Sequence, residues 1–517
     1  MHSVSSTPRV VVVGGGVGGL VSAALLAARG ASVTLLERAP VVGGKMRTID
    51  VDGRGVDSGP TVLTMRWVLD AVFSEAGRSL DDYVTLRRAE VLARHAWPDG
   101  SRLDLYADLE RSVDAIGRFA GAREAQGYRA YAAYCEGIFR AVEEPFLRAQ
   151  RPTLTSVIRD QGIRGIASLA RIDGTRTLWK TLGDFFRDPR LLQLFGRYAT
   201  YAGSSPWKCP GTLNVIAHVE RVGVWLPDGG MVSVARALER LARELGVTVR
   251  CGAEVRDVLV RDGRAEGVRL ADGETLFADA VVFNGDANAL HEGLLGEPAR
   301  RGWKTPADAE RSLSALTLSA VAETSGFPLA HHTVFFSSDY AREFAQITER
   351  MELPDEPTVY VCAQDRDDSG RLSVTGAERL FLIVNAPPRG GAKPFSPKEI
   401  DECLRRTRAH LSRLGLTVGW DPSRTVTTSP DDFARMFPGT RGALYGPASH
   451  GWRSPMARSG ARSSIPGLYL CGGSAHPGAG VPMVAQSGRL AARSALEDLA
   501  STARSRPTAM RGGTSTR

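Results

Sequence analysis

Residues 9–47 read RVVVVGGGVGGLVSAALLAARGASVTLLERAPVVGGKMR. The four valines at 10–13 predict a short buried strand. Gly14, Gly16 and Gly19 spell G-x-G-x-x-G, residues 20–28 are good helix formers, and Gly30 closes that helix. A second strand at 33–36 ends on Glu37. This order, strand, glycine turn, helix, strand, acid, is that of a dinucleotide site. Gly14 permits the tight turn, Gly16 lets the backbone approach a pyrophosphate, and Gly19 lets the helix pack close to the sheet. The N–H groups and positive dipole at the helix start hold phosphates. Glu37 is placed to accept hydrogen bonds from a ribose hydroxyl. Residues 10–28 carry no charge and would also suit a membrane span or signal peptide. Five glycines in the six positions 14–19 argue against a continuous helix.

The chain has 517 residues, enough for two or three domains, with 43% hydrophobic and 24% charged residues, ordinary for a soluble globular protein. Its net charge of +8 suits an anionic membrane surface or a nucleic acid, but no nucleic-acid motif is present. Apart from the rejected stretch at 10–28 the sequence offers no candidate span, so any membrane contact is expected to be peripheral. The six cysteines, at 135, 209, 251, 362, 403 and 471, include no C-x-x-C pair. That argues against a structural zinc site or a secreted disulfide framework and suits a reducing cytoplasm.

Arg38, the doublet Gly43-Gly44 and Lys45 follow the acid, and a doublet so close behind it is the first hint of flavin. Residues 56–63 read as a strand entering a turn at Gly59-Pro60, and 97–106 as a hairpin turning at Pro98-Asp99-Gly100. Residues 108–205 turn helical, and Asp188-Pro189 interrupts them. Between 161 and 200 lie Arg164, Arg171, Arg176, Lys180, Arg187, Arg190 and Arg197, against Asp173, Asp184 and Asp188. Such a segment reads equally as a membrane-surface element or as core helices with a solvated charged face. A helix at 231–245 ends at Gly246, and short strands separated by Asp262-Gly263 and Asp272-Gly273 lead to a buried strand at 280–283. Runs at 316–323, 333–337 and 380–387 predict the sheet of a second domain. PGLYLCGGSAHPGAGVPMVAQSGRLAARSAL at 466–496 repeats the opening logic.

The expected fold is α/β. A Rossmann-like domain is assembled from 1–107 (with the start of the substrate region), 216–300 and 456–500. A helical substrate or membrane-contact subdomain occupies 108–215, a mixed-sheet substrate domain 301–455, and a disordered tail 501–517. No Ser–His–Asp set, metal cluster or carboxylate pair demands a catalytic role. His476 reads as a base or, more simply, as a histidine bound to backbone. His331-His332 is set aside as a metal site because neighbours in a strand point to opposite faces.

Together these stretches resemble the bacterial-type carotenoid (phytoene) desaturases, which share a fold with flavin amine oxidases; the likeness covers roughly 9–495. Its strongest marks are the opening fingerprint with ERAPVVGGK and the closing PGLYLCGGSAHPGAGVP, with FPGTRGALYG at 437–446. SGPTVLTMRWVLDAVF (58–73), ARHAWPDGSRLDLY (93–106) and DPRLLQLFGRYATYAG (188–203) look most like the 1-hydroxycarotenoid 3,4-desaturases, also called methoxyneurosporene dehydrogenases. The resemblance implies FAD on Gly14, Gly16, Gly19, Glu37, Arg38, Gly44 and Lys45. It also points to Val255, whose backbone would face the adenine, and to Gly473 and Met483 at the closing helix.

The implied reaction removes a hydride from carbon 4 to flavin N5, leaves a cation spread along the polyene, and loses a proton from carbon 3. The substrate stabilises the charge, so the protein mainly orients substrate and cofactor in a dry site. The implied partners are a hydrophobic carotenoid, a membrane surface on the cytoplasmic side of the inner membrane, and oxygen or a quinone as electron acceptor. A phytoene desaturase of broader step range, a flavin amine oxidase and a non-catalytic prenyl-lipid carrier are the alternatives on the same fold.

Overall fold

The Arg9–Val13 strand occupies the centre of a five-stranded parallel sheet, and its four valines are at most 8% exposed. β-Branched side chains buried on both faces of a covered strand have this character. A computed structural model describes residues 7–143, 172–303, 310–391, 393–451, 454 and 458–505. The chain leaves the first strand through the Gly14 turn, climbs the Val17–Ala28 helix, and returns as the Ser32–Glu37 strand, pairing Val12 with Leu35 and Val13 with Leu36. The sheet order is Leu468–Leu470, Ala280–Phe283, Arg9–Val13, Ser32–Glu37, Thr248–Cys251. Its strands therefore come from three distant stretches, and their carboxyl ends form one edge.

The Val481–Ser505 helix packs along the Val17–Ala28 helix. Two glycines permit that approach: a Cβ on Gly488 would lie 2.3 Å from the Gly18 carbonyl oxygen, and one on Gly18 would lie 3.2 Å from the Val484 carbonyl oxygen. The helix corrects the expected tail. It runs to Ser505, so 501–505 are helical, and the rest of the stretch to 517 lies outside the described residues.

A second sheet has seven strands. Its order is Thr425–Thr428, Ser314–Ala322, Glu378–Ala386, Val359–Ala363, His332–Phe335, Val91–Ala96, Arg102–Tyr106. All pairings are antiparallel except His332–Phe335 with Val91–Ala96. The hairpin turning at residues 98–100 thus belongs to this sheet. Helices Leu109–Ala120, Ala122–Val142, Leu178–Phe185 and Pro189–Gly196 form the helical part, with a core rich in Tyr131, Phe186 and Phe195. Asp188 caps the last helix by accepting from the Arg190 N–H at 2.8 Å, with Pro189 in its first turn. No helix among the described residues is long and apolar enough to cross a membrane.

Candidate cofactor and substrate site

At the carboxyl edge of the parallel sheet, Gly14 turns the chain at φ +99° and its N–H donates to the Leu36 carbonyl at 2.7 Å. Asn284, just past the Ala280–Phe283 strand, donates from Nδ2 to the Gly14 carbonyl at 3.1 Å. A Cβ on Gly19 would lie 2.0 Å from that same carbonyl, so the third glycine is a steric requirement. Gly16 begins the helix with extended backbone, no side chain caps the first turn, and no acid stands in it. Bare first-turn N–H groups beside a glycine edge are what a pyrophosphate needs.

Glu37 is 7% exposed. Its carboxylate accepts from the Gly15 N–H at 2.6 Å and the Ala39 N–H at 2.8 Å. The acid thus braces the glycine turn, and each oxygen keeps a second lone pair. Val255 opens the Val255–Arg261 strand, and Ala253, two residues earlier, donates to the Glu37 carbonyl at 2.9 Å. Arg38 turns aside, donating to the Arg435 carbonyl at 3.1 Å, with Glu254 at 3.9 Å.

The Gly43-Gly44 loop folds back onto the turn. Gly43 donates to the Gly15 carbonyl at 2.9 Å, and a Cβ on Gly44 would lie 3.2 Å from the Gly16 Cα. Lys45 reaches the Leu444 carbonyl at 2.6 Å and lies 5.4 Å from the Phe437 ring centroid. Burial lowers its pKa to about 8, with Asp286 opposing the shift and Arg311 adding to it. Asp286 itself is paired with Arg311 at 2.6 Å. On the closing side, Gly473 accepts from Arg458 Nη1 at 2.7 Å, while Met483 is half-buried against the Rossmann core. His476 is 5% exposed and donates its backbone N–H to the Ser459 carbonyl at 2.7 Å.

Among the expected residues, Gly14, Gly16, Gly19, Glu37 and Gly44 converge on one turn, with Lys45 beyond it. The Arg38 side chain bonds the Arg435 carbonyl. Asn284 and Arg458 were missed. Asn284 had a weak signal, an amide ending a buried valine strand, whereas Arg458 lies in no motif. The histidine pair requires a correction. His331 precedes the His332–Phe335 strand, so alternation does not apply, and the two rings meet with centroids 4.6 Å apart. With Cys362 they bring their ligating atoms within 4.8 Å of one another. Their nitrogens have neighbours in the protein: His331 Nδ1 bonds the Arg366 carbonyl at 2.8 Å, Nε2 lies 3.6 Å from Cys362 Sγ, and His332 Nδ1 bonds Tyr360 Oη at 2.7 Å.

A glycine turn with bare amides, a ribose acid and a second loop folded along the same edge define a dinucleotide-binding oxidoreductase. The chain belongs to the flavin-containing amine oxidoreductase family, whose model matches residues 17–496, and within it to the carotenoid desaturases. It is 52% identical to the hydroxyneurosporene desaturase of Rubrivivax gelatinosus over 99% of this chain and 97% of that protein. It is 46% identical to the enzyme of the same name from Cereibacter sphaeroides over 96% of this chain and 99% of that one. An oxidoreductase from Methanosarcina mazei shares the fold, with TM-score 0.60 and 17% identity, covering 95% of this chain and 100% of that chain. The cofactor is FAD, and the residues present suit it: glycine edges with bare amides are fit to hold phosphates, and a carboxylate such as Glu37 a ribose hydroxyl.

Proposed function

We propose that this protein is an FAD-dependent desaturase that forms the 3,4 double bond of an acyclic carotenoid bearing a 1-hydroxy or 1-methoxy group. The observation that carries the reading is 52% identity across nearly the full length to a hydroxyneurosporene desaturase. FAD bound at the glycine turn supplies a hydride acceptor. The chain's own residues do the rest. The glycine turn and Glu37 anchor the nucleotide end, while Lys45, Asp286, Arg311 and Arg458 hold the loops that flank the catalytic end. The two sheets and the aromatic helical core exclude water, so the substrate's own conjugation carries the developing charge.

The substrate is nearly insoluble in water. The enzyme therefore collects it at a membrane surface as a peripheral protein, and its electrons pass to oxygen or a membrane quinone. The test supplies FAD-loaded enzyme with 1-hydroxyneurosporene, neurosporene and phytoene in liposomes. Selective 3,4-desaturation of the first is expected. Equal turnover of all three, or reaction of phytoene alone, would move the protein to a general phytoene desaturase.

A further inference from the structure

The helix turn Arg197–Ala202 carries an arginine into the interior. Arg197 is half-buried, with its guanidinium set among aromatic rings. Its guanidinium carbon stands 5.4 Å from the ring centroid of Tyr201 and 5.4 Å from that of Tyr360. No carboxylate lies within ion-pair distance of it among the described residues. Glu220, the nearest acid to act on it, spends its carboxylate on the hydroxyls of Tyr198 and, at 2.8 Å, Tyr201. A guanidinium held by ring faces, with one contact to the Tyr201 hydroxyl, has in-plane N–H donors left for an acceptor.

The Tyr360 ring that Arg197 contacts also lies 6.0 Å, centroid to centroid, from the ring of His332, which is 3% exposed. Its Nδ1 bonds Tyr360 Oη, while its Nε2 is buried without a hydrogen-bond partner. Tyr360 donates its hydroxyl hydrogen to Thr61 Oγ1 at 2.8 Å, so its oxygen accepts from His332 Nδ1–H. That assignment leaves Nε2 as a bare acceptor in a neutral ring. Burial, followed by the charges of His331 and Arg197, keeps the imidazole well below its usual pKa. A buried acceptor without a partner is costly unless something fills it.

This polar set borders the cofactor loops on two sides. Thr61 follows Gly59, which packs so tightly that a Cβ there would lie 1.9 Å from the Lys45 carbonyl oxygen. Tyr445, next to the Leu444 carbonyl that holds Lys45, packs on Gly203 at the end of the Arg197 turn, where a Cβ would meet its ring at 2.4 Å. In a 1-oxygenated carotenoid only four bonds separate carbon 4 from the terminal oxygen. A group reading that oxygen must stand close to where the hydride leaves.

We propose that Arg197 and His332 form the end-group site of the substrate: Arg197 donates to the oxygen on carbon 1, and His332 Nε2 accepts the hydrogen of a hydroxyl there. The assignment rests on the 1-oxygenated-substrate reading above. It makes a distinction that reading does not, because a methoxy oxygen accepts but cannot donate. Both end groups use Arg197, and only the hydroxyl uses His332.

The experiment measures kcat/KM of FAD-loaded wild type, Arg197→Met, His332→Phe and Tyr360→Phe on the 1-hydroxy and 1-methoxy forms of one acyclic carotenoid in liposomes, with FAD content and melting followed alongside. Arg197→Met should lose about 10- to 100-fold on both forms, chiefly in KM. His332→Phe should lose about tenfold on the hydroxy form and little on the methoxy form. Tyr360→Phe keeps the ring under Arg197 and frees the imidazole tautomer, and should shift the hydroxy-to-methoxy ratio in the same direction as His332→Phe. A folded, FAD-loaded Arg197→Met with wild-type kcat/KM, or folded, FAD-loaded His332→Phe and Tyr360→Phe with an unchanged hydroxy-to-methoxy ratio, would overturn the assignment. A wild type that desaturates neither form would instead overturn the functional reading, and the assignment with it.

Discussion

At the scale of single residues, Glu37 does two jobs that a sequence motif reports as one. Its two carboxylate oxygens accept from the N–H groups of Gly15 and Ala39, and this fixes the turn before any nucleotide arrives. Glu37→Ala should therefore weaken FAD by about 1.5–3 kcal/mol, roughly 10- to 150-fold, and also lower the melting point of the FAD-free protein. Gly16→Val should cut FAD affinity with a smaller effect on the FAD-free protein, because its Cβ meets only Asn284 Nδ2, at 3.0 Å. Titration with FAD and melting of both forms separate the two effects, and wild-type affinity in both variants would remove these residues from the site. The glycines were legible because each acts within a few residues of its neighbours in sequence. Asn284, Arg458 and Arg197 were not, because distant strands and turns bring them in and their own neighbourhoods carry no signature.

At the scale of elements, the basic stretch at 161–200 resolves into residues with different duties. Arg164 and Arg171 lie outside the described residues. Arg176 holds Asp173 at 2.7 Å and Asp184 at 2.6 Å, and Asp173 also accepts from Tyr134 and Thr181. Arg190 pairs with Asp188 at 2.6 Å, and Arg197 points inward. Lys180 and Arg187 remain exposed. Reversing Lys180 and Arg187 to Glu should weaken binding to anionic liposomes at low salt and leave melting unchanged. Arg176→Glu should instead destabilise the fold by about 1–2 kcal/mol. If the double reversal leaves liposome binding intact, this face is an ordinary solvated one. Charge counts along a sequence could not make this division, since they do not say which arginines already have carboxylates.

Another element carries a pH signature. Glu343, in the Tyr340–Ala345 helix, accepts from Ser337 Oγ and Thr358 Oγ1, each at 2.7 Å, and from the Thr358 N–H at 3.0 Å. Burial nevertheless pushes its carboxyl up to about 7 from an ordinary 4.5. The folded state then binds this proton more tightly than the unfolded chain does. Stability from this group is present below pH 4.5 and is lost as pH rises through about 7. Denaturant midpoints measured across that window should fall less steeply in Glu343→Gln than in wild type, and identical slopes would dismiss the shift.

For the whole molecule, the sequence announced strands and helices more readily than their assembly. Alternation and turn residues marked the hairpin at 97–106, but only the pairing of Val334 with His95 places it in the seven-stranded sheet. Likewise 280–283 and 468–470 read as strands by composition, yet their places beside Arg9–Val13 follow from a chain that leaves and returns across hundreds of residues. This assembly also bears on electron flow. The described residues hold one large parallel sheet with a glycine turn at its carboxyl edge, the turn proposed above for FAD. The other large sheet is almost wholly antiparallel, so it offers no strand–turn–helix crossover for a second dinucleotide. Among the described residues a nicotinamide finds no second strand–turn–helix crossover to hold its pyrophosphate. NADH and NADPH, mixed anaerobically with the FAD-loaded enzyme, should therefore leave the flavin absorbance near 450 nm unbleached over about a turnover time, on the order of 0.1 s for a median enzyme. The carotenoid should bleach it, with reoxidation by oxygen or a quinone. Rapid bleaching by either nicotinamide would mean that a second nucleotide site exists outside the parallel sheet.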